Sequence, residues 1–293
     1  MSILDSHVHF WDPASLSYPW LDDLPSLRQA FGPAEYVEAA NGVPVDGVLF
    51  VEANPHPSQG AAEARRVERL AAEYPWIAGI VAFVDLTRDP GATAAALDEL
   101  GGIPLVRGIR HNIQGNPAGF CLQPGYVEGV REVGRRGLVF DLCATHDQLP
   151  EVIELVDRVP NTRFVLDHCA KPGIRDALLD PWRADLARLA ERERVRCKIS
   201  GLLTEAGERA SKAELLPYVN HVVESFGTGR VMYGSDWPVL TLAGSQSGWY
   251  DFTRSFTTGW SEDEVRGFDR GNAIDTYALA PIANLSDGLN HRG

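Results

Sequence analysis

His7 and His9 stand two residues apart in the N-terminal run Ile3-Leu4-Asp5-Ser6-His7-Val8-His9-Phe10. On a β-strand, residues i and i+2 point to the same side, so this run would send both imidazoles in one direction. Two neutral imidazoles side by side supply half of a divalent-metal site. An isolated pair reads as readily as two hydrogen-bonded surface histidines, so partners elsewhere must decide. Two partners close later apolar runs: His168 in Leu166-Asp167-His168-Cys169, and Asp236 in Tyr233-Gly234-Ser235-Asp236-Trp237-Pro238. Either alone could cap a loop. Three imidazoles and a carboxylate at the ends of strands are far more specific together than any one of them.

The elements that would position these groups alternate along the chain. Candidate strands occupy residues 3–10, 47–52, 77–85, 106–110, 138–142, 163–167, 195–200 and 230–233. Several are nearly continuous apolar runs, such as Val48-Leu49-Phe50-Val51, as expected when both faces of a parallel sheet are covered. Amphipathic helical repeats lie between them at 61–74, 124–136, 151–159, 181–193 and 212–226. Eight strands alternating with helices predict an α/β fold, a (β/α)8 TIM barrel, with the chemistry at the C-terminal ends of the strands. No repeat or linker divides residues 1–293, so one domain is expected. The aromatic segment 11–31 follows the first strand and should wall the pocket. Residues 284–293 look polar and frayed.

Composition narrows the partners. Apolar residues make up 44% and charged residues 23% of the 293, enough for a large core without disulfides. The 27 basic and 40 acidic residues give a charge of −13, which repels nucleic acid and anionic membranes. No apolar run approaches the ~18 to 20 residues of a membrane span. The start of the chain lacks a signal-peptide pattern, which predicts a cytoplasmic protein. Cys121, Cys143, Cys169 and Cys197 are far apart and read as buried free thiols. No GxxxxGK[ST], GxSxG or GxGxxG motif is present, which leaves P-loop, α/β-hydrolase and nicotinamide chemistry without footing.

Other residues at strand ends are candidates for substrate contact: Arg110 and His111 after the fourth strand, and Lys171 after His168. Each could instead fix a loop. Trp20, Trp237 and Trp11 could stack on a sugar face, although burial is the commoner fate of tryptophan. Glu52 and Glu205 could face the mouth or hold loops. His56, His146, His221 and His291 lack convergent partners.

The motifs Asp5-Ser6-His7-Val8-His9, Tyr18-Pro19-Trp20-Leu21, Leu166-Asp167-His168-Cys169-Ala170-Lys171-Pro172 and Gly234-Ser235-Asp236-Trp237-Pro238 resemble the amidohydrolase-2 family over nearly the whole chain. The chain is most similar to its sugar-lactone hydrolase branch, the L-fuconolactonases and L-rhamnonolactonases. That resemblance implies an amidohydrolase-type barrel with a hydrolytic site at its mouth, acting on a small-molecule sugar lactone in carbohydrate catabolism. Asp236 would be the general base, with His168 catalytic beside it. His7, His9 and Asp236 would hold a metal. The fourth strand ends Ile109-Arg110-His111 and the fifth Phe140-Asp141-Leu142-Cys143, so the bridging ligand and fifth-strand histidine of binuclear members are missing. One Zn²⁺, or a metal-free site in which the histidines and Arg110 polarise the carbonyl, is the expectation. The wider family also suggests a non-oxidative decarboxylase of an aromatic or muconate-type acid, or a phosphodiester or amide hydrolase. From a different class, a silent sugar-binding barrel is the alternative. The chain is compatible with a homo-oligomer.

Overall fold

Val, Ile, Leu and Phe runs without interior proline form strands here because helices cover them outside and a second apolar layer fills them inside. The strands are β1 (Ile3–Val8), β2 (Val45–Val51), β3 (Ile77–Phe83), β4 (Val106–Arg110), β5 (Val139–Leu142), β6 (Arg163–Leu166), β7 (Val195–Ile199) and β8 (Val231–Tyr233). They pair in parallel, each with the next, in the order β1 to β8. The eight expected runs thus become eight strands of a (β/α)8 barrel. The computed structural model describes residues 2–207 and 211–280, so the expected polar tail at 284–293 lies outside the described residues.

Helices α1 (Pro33–Ala39), α2 (Gly60–Glu73), α3 (Pro90–Gly101), α4 (Pro124–Arg135), α5 (Leu149–Arg158), α6 (Trp182–Ala190), α7 (Leu202–Ala206) and α8 (Lys212–Phe226) occupy the connections. After β8 come α9 (Gln246–Phe256), α10 (Glu262–Arg266) and α11 (Asn272–Tyr277). Five of these match the amphipathic repeats. Alanine-rich α3 carries no sharp apolar stripe and short α1 little sequence, which is why neither was legible. None of the described helices is long and apolar enough to cross a membrane.

Strand alternation sorts the core into two layers. Val48 and Phe50 face outward into the layer shared with the helices, while Leu49 and Val51 face inward with Leu4, Val81, Val139, Val165 and Met232. Tyr277 and Leu279, from the end of α11, join this inner layer. Gly79 makes room for Leu279, since a Cβ there would stand 2.9 Å from its Cδ2.

Closure between β8 and β1 is made by main chain and side chain together. The Asp236 N–H donates to the His7 carbonyl at 2.9 Å and the His9 N–H to the Trp237 carbonyl at 2.8 Å. A bulge in β1 sets three steps against two on β2, with Asp5 opposite Val48 and Val8 opposite Phe50. Bulges re-aim side chains, and buried Asp5 is turned to the seam. There it accepts from the Ser235 N–H at 2.8 Å and the Tyr36 hydroxyl at 2.9 Å. Burial pushes the Asp5 carboxyl up to about 6 against the pull of these donors. Tyr36→Phe removes one donor from a buried acceptor and should lower unfolding free energy by about 1–3 kcal/mol. Chemical denaturation reads this; an unchanged midpoint would mean that the tie adds nothing to closure.

Candidate active site

β1 carries His7 and its continuation carries His9, whose rings meet edge to face with centroids 4.9 Å apart. Their Nε2 atoms lie 3.2 Å apart, as the i, i+2 spacing predicts. Closure brings Asp236 to the same point, with Oδ1 3.3 Å from His9 Nε2 and 3.7 Å from His7 Nε2. His168 comes from beyond β6, its Nε2 3.8 Å from Asp236 Oδ1. All four residues are 5% exposed or less. The four groups selected from sequence therefore converge.

His168 reaches this position through unusual backbone. His168, Cys169, Ala170 and Lys171 all take positive φ, at 53°, 54°, 58° and 47°. Left-handed backbone costs an L-residue about 1–2 kcal/mol each, so neighbours must impose it. Trp182 Nε1 donates to the Cys169 carbonyl at 2.7 Å, and the Lys171 N–H to the His168 carbonyl at 2.8 Å. Gly201 leaves space for the imidazole, since a Cβ there would stand 2.8 Å from its ring. Asp236 itself has a φ of 65°.

Hydrogen bonds and burial set the protonation states. The Val51 carbonyl only accepts, so His9 Nδ1, 2.8 Å away, carries a proton and donates to it. His168 Nδ1 pairs with Ser200 Oγ at 2.8 Å. Burial holds His7 and His168 well below the ordinary imidazole range. Burial alone would raise the Asp236 carboxyl, but the neighbouring His168, His9 and Lys171 outweigh it and hold it below its usual value. An ionised carboxylate thus faces imidazole nitrogens.

That donor set fits one divalent cation. Tetrahedral Zn²⁺ with bonds near 2.0–2.1 Å separates its ligand atoms by about 3.4 Å. The four measured separations, 3.2, 3.3, 3.7 and 3.8 Å, bracket that distance.

Beneath the imidazoles lies a buried row of alternating charge that the sequence did not reveal as a unit. Glu52, Arg110, Asp167, Lys198 and Asp141 follow one another across the strand ends. Arg110 Nε donates to Glu52 Oε1 at 2.6 Å, and Nη1 to Asp167 Oδ2 at 3.2 Å. Lys198 Nζ sits 3.1 Å from Asp167 Oδ1 and 2.6 Å from Asp141 Oδ2. The Tyr277 hydroxyl donates to Asp141 at 2.8 Å. His7 Nδ1 faces this row, 3.3 Å from both Asp167 Oδ1 and Lys198 Nζ. Burial would raise Asp167, yet Lys198 and His7 hold it well below the carboxylate range; at Asp141 burial prevails and pushes the carboxyl up to about 6. Lys198, one residue from the end of β7, was the available signal, because a buried ammonium requires carboxylate partners.

Above lies a cavity of about 310 Å³ lined by His9, His168, Asp236, Arg110 and Lys171, with Trp20 and Leu24 from the 11–31 segment. Lys171 pairs with Glu205 at 3.4 Å. Trp20 Nε1 donates to the Ala53 carbonyl at 2.8 Å, fixing its ring at the rim. Two expected substrate contacts lie elsewhere. His111 is absent from the cavity lining; its Nδ1 accepts from the Leu86 N–H at 3.1 Å and its ring packs between Phe83, Phe120 and Tyr126. Trp237 is 1% exposed and packs against Phe10, Phe31 and Tyr36, because the residue after Asp236 turns outward into the core. Arg110 reaches the cavity with its donors engaged, Nη2 also on the Glu52 carbonyl at 2.5 Å. Trp11 is buried, and its Nε1 donates to the Leu27 and Gln29 carbonyls, which folds the 11–31 segment.

The charge row generates a prediction. Lys198→Met leaves Asp141 without its cation and Asp167 with Arg110 alone, and should destabilise the fold by about 3–5 kcal/mol. Adding Asp141→Asn should recover part of that loss in a double-mutant cycle followed by urea unfolding. Simple additivity would mean that the two groups are not coupled.

Comparison with known proteins places the chain in a family. An L-fucono-1,5-lactonase from Burkholderia ambifaria is 32% identical over 244 residues, 82% of each chain. One from Burkholderia multivorans is 31% identical over 299 residues, covering 96% of this chain and 97% of its own. The crystal structure of an amidohydrolase from Burkholderia multivorans with bound zinc superposes with a TM-score of 0.86 at 30% identity, over 96% of this chain and all of that one. The family model described as Amidohydrolase matches residues 4–279, from the strand that bears the two histidines to the end of the inner-layer plug. A match that spans the whole barrel makes the chain a member of the amidohydrolase family.

Proposed function

We propose that the protein hydrolyses a sugar-acid lactone to the free hydroxy acid, with Asp236 as general base. The observation that carries this reading is the convergence of the Asp236 carboxylate with the His7, His9 and His168 imidazoles at the floor of the 310 Å³ cavity. The two lactonase relatives at 31–32% identity support the substrate class.

In this reading Asp236 takes a proton from water as its oxygen attacks the lactone carbonyl. The ring C–O bond then breaks, and the same proton passes to the leaving alkoxide. His168, its Nδ1 fixed by Ser200, orients the water from the opposite side of Asp236. Lys171 provides a cation toward the developing negative oxygen, and Trp20 offers an aromatic edge to the sugar ring. Arg110 acts through its charge, since its donors already serve Glu52 and Asp167. His7, His9 and Asp236 would hold one divalent ion, which when bound would acidify the water and polarise the carbonyl. A lactone is an activated ester whose leaving group needs a single proton, so one base and good positioning suffice.

Proton release from a panel of L- and D-aldonolactones, with metal-replete and chelated enzyme in parallel, tests the reading. Asp236→Asn should lower turnover by about 10²–10⁴-fold while leaving the melting temperature unchanged. Loss of turnover on chelation, restored by Zn²⁺, would assign the metal; turnover indifferent to chelation would leave the work to the side chains. Carbon dioxide release from an aromatic or muconate-type acid, with every lactone inert, would replace the lactonase by a decarboxylase.

A further inference from the structure

Glu63 is a buried carboxyl to which the proposed reaction gives no role. It lies on α2, outside the cavity lining, and is 1% exposed. Burial, and after it the nearby Glu52, push the carboxyl well above its ordinary range. A polar group sealed in this way is costly unless its hydrogen bond serves a purpose. The bond that Glu63 makes leads back to the cavity: its Oε1 accepts from the Ala53 N–H at 3.2 Å.

Ala53 is the pivot of the rim. It lines the cavity two residues past the end of β2, and its carbonyl accepts from Trp20 Nε1 at 2.8 Å. A trans peptide points its N–H and its carbonyl in opposite directions. The peptide that bears this carbonyl is held on its other side, where the Asn54 N–H donates to Glu52 Oε2 at 2.7 Å. Two glutamates therefore grip the turn, one on each side of Ala53. Glu52 also serves Arg110, so it cannot be altered without disturbing the charge row. Glu63 can. The aromatic segment is separately held to the start of α2, by the Ser17 N–H on Gln59 Oε1 at 2.8 Å and the His56 N–H on the Ser17 carbonyl at 2.8 Å. Loss of Glu63 would thus loosen the anchor of the Trp20 ring and leave the segment in place.

We propose that Glu63 is a positioning residue that fixes the Trp20 indole at the cavity rim through Ala53, and so acts on binding of the substrate ring and not on the chemical step. That the ring is a lactone rests on the function proposed above; that Glu63 sets the indole does not.

Glu63→Leu removes the acceptor at similar volume, whereas Glu63→Gln keeps a carbonyl oxygen for Ala53. In lactone hydrolysis the leucine variant should raise KM by roughly 5- to 10-fold with kcat within about twofold of wild type. Glutamine should restore KM. In a Trp20→Phe background, which lacks the Nε1 donor, Glu63→Leu should raise KM no further, while its effect on melting temperature persists. Acrylamide quenching of the Trp20 emission, taken as the difference between each protein and its Trp20→Phe counterpart, needs no substrate. It should steepen in the leucine variant and match wild type in the glutamine variant. An equal rise in KM with and without the indole donor, a fall in kcat in place of the rise in KM, or unaltered quenching overturns the proposal. Should the leucine variant fail to fold, a Trp20→Phe enzyme with the wild-type KM does the same. Quenching and turnover together separate the two readings. Trp20 loosened by leucine alone, with every lactone inert, keeps Glu63 in its role and removes the lactonase; turnover with KM indifferent to Glu63 does the reverse.

Discussion

Closure of the barrel between its last strand and its first is the constraint on which the site depends. His7 and His9 lie at the start of the chain and Asp236 near its end, so no local structure can bring them together. Two main-chain bonds at the seam do so, and they belong to the site residues themselves: Asp236 donates to His7, and His9 donates to the neighbour of Asp236. Asp5 reinforces the seam from two residues below, and the bulge in β1 lets one short strand send a carboxylate to the seam and an imidazole to the cavity. The geometry of the candidate site and the closure of the fold are here one set of contacts.

The row from Glu52 to Asp141 solves a second problem. The imidazoles and Asp236 are buried among apolar side chains, and charge in such surroundings is costly. Alternating carboxylates and cations satisfy one another without water, and the inner apolar layer of Leu4, Leu49, Val81 and their neighbours begins directly below. Tyr277 links the two, its ring in the apolar layer and its hydroxyl on Asp141. The site is thus held at a fixed height in the barrel by a polar layer that cannot sink and an apolar one that cannot rise.

Much of this was legible in the residues. Strand positions followed from continuous apolar runs, and the convergence of His7, His9, His168 and Asp236 followed from their places at strand ends. Side-chain direction beyond a strand end was not legible. His111 and Trp237 each stand one residue past a site residue, and each turns away, because a strand end or a left-handed residue breaks the alternation that would have placed it. The charge row stayed hidden for another reason. Its members are far apart in sequence, and only the closed barrel shows that Lys198 lies against Asp141 and Asp167.

The left-handed run from His168 to Lys171 has a consequence for anyone who would engineer this protein. Glycine accepts such backbone without penalty, whereas Cys169 and Ala170 hold it only because Trp182 and the neighbouring strand impose it. A search for thermostability would therefore be drawn to glycine at these two positions. The same change would release the tether that fixes His168 at one end and Lys171 at the other, and selection for heat resistance would select against the geometry of the cavity.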